Sequence, residues 1–267
     1  MRKKWVTGAI IASGLLTTII LLVGFIEGTR AVLDPSGISQ FDTEKGKEPI
    51  IKKDNEKLSI VALGDSLTRG VGDDNGDGYV KRLTTKLTDR YDQKISLSNL
   101  SVSGAKTADL LTLLETPGTK HTIKNADLIV MTIGGNDLFP GVETLTTNLS
   151  EYKPDTNAFI TNSKKMLDII RSYNSDAPIY WISLYNPFED FKESGDTSKF
   201  VIDWNHEMQS LATQSPNSYI IPVFDLFQGQ VKNFLYSDHF HPNKKGYEAI
   251  SERLIQSIAS QEQLGGD

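Results

Sequence analysis

The stretch Leu58-Ser59-Ile60-Val61-Ala62-Leu63-Gly64-Asp65-Ser66-Leu67 carries a short, mostly apolar run into a glycine and then into polar residues. A run of this length with β-branched members, bounded by Gly64, predicts a buried strand that ends there and hands over to a turn or helix. Four similar runs follow. Residues 95–100 (ISLSNL) are the weakest, and residues 127–133 (DLIVMTI) end at Gly134-Gly135. Residues 178–184 (PIYWISL) and 219–224 (YIIPVF) complete the set. Pro222 marks the last as an edge strand or one that stops early, because proline cannot donate to a ladder. Helical patterns fall between them, over 79–91, 106–114, about 157–173 and 199–213, and a last one over 244–259 follows Pro242-Asn243. Strands alternating with helices predict a parallel sheet covered on both faces, an α/β domain over residues 58–260 with a short tail at 261–267. There is no internal repeat. Sites in such sheets lie at the carboxyl ends of the strands. Ser66, Gly104 and Asn136 each come just after one of the first three.

Several residues at those ends carry chemistry, and each has an ordinary alternative. Ser66, in Gly64-Asp65-Ser66-Leu67, is a candidate nucleophile, or a serine capping a helix. Thr68 takes the place of the final glycine in the G-x-S-x-G elbow, which lowers the usual α/β-hydrolase reading. Asp238 and His241 stand three apart in Asp238-His239-Phe240-His241-Pro242-Asn243. They fit a base and the carboxylate that orients it. A metal site using Asp238, His239 and His241 is the competing functional reading, and a loop capping the last helix through Asn243 is the structural one. Asn136, in Gly134-Gly135-Asn136-Asp137, can donate to a developing oxyanion or simply end a strand. The N–H of Gly104, in Ser101-Val102-Ser103-Gly104-Ala105, offers a second donor or a plain turn. Residues 73–78 (DDNGDG) resemble the opening of a calcium loop, but its twelfth position is Thr84 where a glutamate is needed. They read as a polar loop beside the site. His121 and His206 read as surface or satisfied histidines.

Composition removes some chemistries. There is no cysteine among the 267 residues, so disulfides, thiolate catalysis and Cys-bound zinc are excluded. The net charge of −6, carried despite Arg2, Lys3 and Lys4 at the start, argues against nucleic-acid binding, which neutralises phosphates. Residues 5–26 run for 22 positions without a charge. A helix of that length spans about 33 Å, enough for a bilayer core of about 30 Å. Behind the basic tip at 1–4, the run predicts a transmembrane signal-anchor, with cleavage after a secretory signal as the alternative. The positive-inside bias puts the remainder outside the cytoplasm. Residues 27–57, rich in charge, Gly and Ser, read as a flexible stalk.

Four blocks in order, Gly64-Asp65-Ser66-Leu67, Gly104, Gly134-x-Asn136-Asp137 and Asp238-x-x-His241, resemble those of the SGNH hydrolases, also called GDSL lipases or esterases. The segment 64–69 and the N-terminal anchor are similar to the YpmR-like branch of Gram-positive bacteria. The resemblance implies a flavodoxin-like three-layer α/β/α fold with a five-stranded parallel sheet. It implies Ser66 as nucleophile, His241 as base and then acid, and Asp238 as its orienting partner. It also implies an oxyanion hole from the Ser66 N–H, the Gly104 N–H and the Asn136 side chain, with no cofactor and no metal. The expected partner is an acyl ester, either a lipid such as a lysophospholipid or a short acyl group on a cell-wall polymer. No obligate protein partner is implied. Leu138, Phe139, Phe188, Phe191 and Phe240 are the candidate lining of an acyl groove, and residues 141–155 a loop beside it. A non-catalytic envelope module that binds glycan or protein on the same fold is the remaining alternative.

Overall fold

The computed structural model describes residues 57–139, 153–190 and 197–264, with residues 14, 17, 18 and 21–23 near the N-terminus. Those six N-terminal positions are helical. The rest of the expected anchor over 5–26, the stalk up to residue 56, most of the loop at 141–155, Phe191 and the last three residues lie outside the described residues. Among the described residues no helix is long and apolar enough to cross a membrane.

In chain order, β1 (Leu58–Gly64) is followed by α1 (Ser66–Arg69), α2 (Gly78–Tyr91) and β2 (Ile95–Asn99). Then come α3 (Thr107–Leu114), α4 (Pro117–Lys124), β3 (Leu128–Thr132), α5 (Gly135–Leu138) and α6 (Thr156–Tyr173). β4 (Ile179–Ile182), α7 (Thr197–Thr213), β5 (Ser218–Ile221), α8 (Phe224–Phe227), α9 (Val231–Phe234) and α10 (Lys244–Leu264) complete the body. The five strands form one parallel sheet in the order β2-β1-β3-β4-β5. This is the flavodoxin-like order, whose switch point lies where β1 neighbours β3.

Alternate side chains divide the core between the two faces of the sheet, as the period of two in a strand requires. Leu58, Ile60 and Ala62 of β1, with Leu128 and Val130 of β3, pack under Tyr79, Leu83 and Leu87 of α2 and Ile250 and Leu254 of α10. Val61, Leu63, Ile129, Met131 and Trp181 face the other way, against Leu110 of α3, Phe159 and Met166 of α6 and Trp204 of α7. Burial on both faces explains why β1, β3 and β4 read as unbroken apolar runs. β2 is an edge strand and half open, with Leu97 exposed, so its pattern is weaker. β5 is the other edge and ends before Pro222, whose missing N–H would break a continuing ladder.

Gly64 closes β1 where it runs tightest against β3. Its φ is +129°, and a Cβ there would lie 1.9 Å from the Thr132 carbonyl oxygen. Only glycine lets the two strand ends stay this close, and this sets Asp65 and Ser66 at the rim of the sheet. The Asp65 backbone N–H donates to the Thr132 carbonyl (3.1 Å), extending the pairing by one residue into the turn.

Candidate active site

Ser66 opens α1, immediately beyond β1, and is 5% exposed. His241 lies beyond α9 in a tight loop, closed where the Tyr236 N–H donates to the His241 carbonyl (2.8 Å). Asn243 then caps α10, its side-chain oxygen accepting from the N–H groups of Lys245 (2.8 Å) and Gly246 (3.1 Å). The loop approaches the Ser66 turn closely at Gly72, where a Cβ would meet the Pro242 carbonyl at 2.5 Å and the His241 Cβ at 2.8 Å. The Tyr247 hydroxyl fastens the same contact by donating to the Val71 carbonyl (2.6 Å).

Across this contact the His241 Nε2 lies 2.8 Å from the Ser66 Oγ, and its Nδ1 lies 2.7 Å from an Asp238 carboxylate oxygen. An ionised carboxylate can only accept, so the ring hydrogen sits on Nδ1 and Nε2 is left to accept from the serine hydroxyl. The other Asp238 oxygen accepts from the backbone N–H groups of Phe240 and His241, both at 3.0 Å. Partial burial pushes the Asp238 carboxyl up, but the bonds from the His241 ring and from these two N–H groups outweigh it and hold it below the ordinary carboxylate range. Asp238 is therefore anionic and fixed in direction at neutral pH. Both of its oxygens are committed, and His239 is exposed on the loop. Among the described residues no three His, Cys, Asp or Glu side chains converge as a metal group.

Asn136 lies in α5, beyond β3, and lines the same cleft as Ser66. Its side-chain amide donates to the Ala105 carbonyl (3.0 Å), which fixes the side chain and leaves its second N–H for another acceptor. Gly104 precedes Ala105, with φ +78°, on an exposed part of the loop that follows β2. It is not among the residues lining the cleft, although the Asn136 bond ties its loop to the site. Asp137 reinforces that tie by accepting from the Thr107 hydroxyl (2.5 Å) and N–H at the start of α3.

The cleft beside Ser66 is lined by Leu67, Asn136, Phe139, Leu184, Tyr185 and Phe240, among others. Phe139 and Phe240 thus line it as the sequence suggested. Phe188 stands behind them, edge-on to Phe139 at 5.1 Å between ring centres. Leu138 is fully buried in the core beneath the site, not in the cleft. The Tyr185 hydroxyl donates to the Phe240 carbonyl (2.6 Å), which pins the loop carrying His241 over the sheet. Residues 73–78 are anchored as well. The Asp73 carboxylate accepts from the Arg82 guanidinium and from the Gly78 N–H (3.1 Å), so its leading oxygens hold α2.

Asp65, Thr68 and Asn99, to which sequence reading gave no role, support the nucleophile. One Asp65 oxygen accepts from the Leu67 N–H (3.0 Å) and from the Thr132 hydroxyl (2.7 Å). Thr68 joins the Thr132 hydroxyl (2.7 Å) and the Tyr79 hydroxyl (2.8 Å) and donates to the Leu63 carbonyl (3.0 Å). Asn99 braces the turn from β2, its amide donating to the Thr68 carbonyl (3.0 Å). The departure of Thr68 from an elbow glycine was the available signal, because a hydroxyl there belongs to this network.

Asp65 is 3% exposed, and burial pushes its carboxyl from 3.8 up to about 6, against the opposing pull of Thr132, Leu67 and His241. Folding therefore takes up a proton between those two values. The associated stability is fully present below pH 3.8, falls as pH rises towards 6 and is gone above it. A shift of this size corresponds to about 3 kcal/mol. Asp65→Asn keeps the accepting oxygen and removes the charge. It is expected to raise the unfolding free energy at pH 8 by up to about 3 kcal/mol, with little change near pH 4. Denaturant titrations at the two pH values check this; equal effects at both would contradict it.

The chain is similar to several known proteins. The model of the GDSL-like Lipase/Acylhydrolase family matches residues 62–249. The uncharacterized protein YpmR of Bacillus subtilis is 32% identical over 212 residues, covering 77% of this chain and 83% of YpmR. The spore germination lipase LipC of Bacillus licheniformis is 31% identical over 209 residues, covering 74% and 94%. The crystal structure of the lipase Lip_vut3 from a goat rumen metagenome superposes with a TM-score of 0.67 at 30% identity, covering 75% of this chain and 97% of that one.

Proposed function

Because the chain belongs to the GDSL-like lipase/acylhydrolase family, we propose that it is a serine esterase that cleaves acyl esters through an acyl-enzyme. The observation that carries this is the continuous chain from the Ser66 Oγ through both His241 ring nitrogens to Asp238. In the first step His241 Nε2 takes the hydroxyl proton while Ser66 Oγ attacks the carbonyl carbon. The resulting oxyanion is held by the free N–H of Asn136, with the backbone N–H groups of Ser66 and Gly104. Collapse breaks the ester C–O bond, and the leaving alcohol takes the proton from His241. Water, deprotonated by His241, then attacks the acyl-enzyme and releases the acid and free Ser66.

The favoured substrates are fatty acyl esters such as lysophospholipids. The apolar walls at Leu67, Phe139, Leu184 and Phe240 suit an acyl chain, and the relative LipC is named a lipase. The enzyme is tethered through residues 5–26, whose uncharged run behind Arg2, Lys3 and Lys4 supports an anchor with the catalytic domain outside the cytoplasm. One observation favours a second reading, a short-chain esterase acting on an acetylated wall polymer. The cleft volume is only about 30 Å³, which accepts a methyl group more readily than a long chain. The complete hydrogen-bonded chain weighs against a non-catalytic binding module.

The kcat/KM of the full chain on p-nitrophenyl esters from acetyl to palmitoyl decides between the substrate classes. A rise with chain length is the expected result. A maximum at acetyl moves the assignment to short acyl groups, and no turnover of any ester overturns the esterase reading.

A further inference from the structure

A second cavity stands beside the cleft, and the reaction outlined above gives it no part. Its volume is about 430 Å³, against about 30 Å³ for the cleft, and Pro187 lines both. A space of that size holds a small molecule, where the cleft alone does not. Tyr236, Ser237 and His239, on the loop that carries His241, line it together with Lys232 of α9 and Asp190. Their polar groups are uncommitted. Among the described residues no hydrogen bond engages the Tyr236 hydroxyl, the Ser237 hydroxyl or the His239 ring. Lys232 and Asp190 stand 3.8 Å apart, too far for a hydrogen bond. The Tyr236 ring is 41% exposed. His239 has φ +55°, a conformation that glycine would take without strain, yet a ring is kept there.

Resting on the esterase reading, we propose that this cavity receives the alcohol part of the ester, and that the alcohol is a polyol such as glycerol or a sugar unit. The direction follows from the chemistry. When the tetrahedral intermediate collapses, the leaving oxygen takes its proton from His241 Nε2, so it must lie against His241. The alcohol attached to that oxygen then extends along the His241 loop, on which Tyr236, Ser237 and His239 stand. The apolar walls of the cleft at Leu67, Phe139 and Leu184 are left to the acyl side. The chemistry of the cavity selects the alcohol. Lys232 can only donate, Asp190 only accept, and the hydroxyls of Tyr236 and Ser237 do both. Adjacent hydroxyls on one molecule meet all of these, and its C–H face packs on the Tyr236 ring. A plain alkyl alcohol or a fatty chain would cover the same polar groups without bonding them, at a cost in desolvation.

The test compares three esters of one acyl group, the one preferred in the p-nitrophenyl series: the ethyl ester, the 1-monoglyceride and the 6-O-acyl methyl glucoside. The kcat/KM of the full chain is measured on each, and again in Tyr236→Ala and Lys232→Ala. Alanine at 236 keeps the Cβ that packs near Gly72 and the N–H that bonds the His241 carbonyl, so the loop is retained. Lys232 is 84% exposed at its side chain, so its truncation leaves the fold alone. The wild type is expected to prefer a polyol ester over the ethyl ester by at least about tenfold, and each variant to lose most of that ratio. Which polyol ester leads tells a glycerol-based substrate from a sugar-based one. Equal rates on all three esters overturn the proposal, as does a preference that survives both variants. Turnover without the preference sinks this inference alone, whereas no turnover of any ester sinks the esterase reading beneath it.

Discussion

Ser66→Ala is expected to lower kcat by at least about 10³-fold on any ester the wild type hydrolyses, with KM little changed. The substitution removes the oxygen lying 2.8 Å from His241 Nε2 and leaves a methyl group that cannot attack a carbonyl. It does little else. Ser66 opens α1 without capping it, since Asp65 supplies the cap by accepting from the Leu67 N–H. The turn is held by Gly64, Asp65 and Thr68, none of which uses the serine hydroxyl. Thermal unfolding should therefore stay close to wild type while turnover disappears. Such a split separates a nucleophile from a serine that merely caps a helix. Steady-state kinetics on the best p-nitrophenyl ester, paired with a melting curve, reads both. Near-wild-type turnover would remove Ser66 from its assigned role.

Asn136→Ala is expected to cost about 10²–10³-fold in kcat, the scale of losing one oxyanion donor. The Asn136 amide is oriented before any substrate arrives, because one of its N–H groups is already bonded to the Ala105 carbonyl. A donor fixed in advance needs no reorganisation when charge develops, which is why its removal falls on kcat. The same bond ties Asn136 to the Gly104 loop, so the alanine variant also loosens that loop. Asn136→Asp loses that bond as well, since a carboxylate cannot donate to the Ala105 carbonyl. It keeps the size but replaces the donor with an acceptor, and should be at least as slow as alanine. An active Asn136→Asp enzyme would show that this side chain does not meet the oxyanion.

Much of this molecule was legible in its sequence, and the illegible parts have physical reasons. Strands buried on both faces, β1, β3 and β4, announce themselves as apolar runs, and the order of the motif ends placed Ser66 and Asn136 at the same rim. Of the helices of four residues, α5, α8 and α9 escaped notice because one turn is too short to show a period, whereas α1 was expected from the turn after Gly64. α4 did leave a signal. Pro117 stands in its first turn and Thr116 caps it by accepting from the Thr119 N–H, the arrangement favoured at helix starts. α10 runs on to Leu264, past the expected stop at Ala259. At the site, the Asp238–His241 spacing was readable because three residues can close one loop. The burial of Asp65, the bond from Thr132 and the close approach at Gly72 were not, because each depends on β1, β3 and the last loop meeting across distant stretches of chain. Leu138 shows the converse. Its apolar character suggested a groove, but the short helix α5 turns it into the core.

The most direct measurement is the reaction of the full chain with a fluorophosphonate, followed by mass spectrometry of its peptides. A single adduct on Ser66, absent from Ser66→Ala and strongly slowed in His241→Ala, is the predicted result. No adduct, or an adduct on another residue with Ser66 untouched, would contradict the assignment of Ser66, His241 and Asp238 as the machinery of this protein.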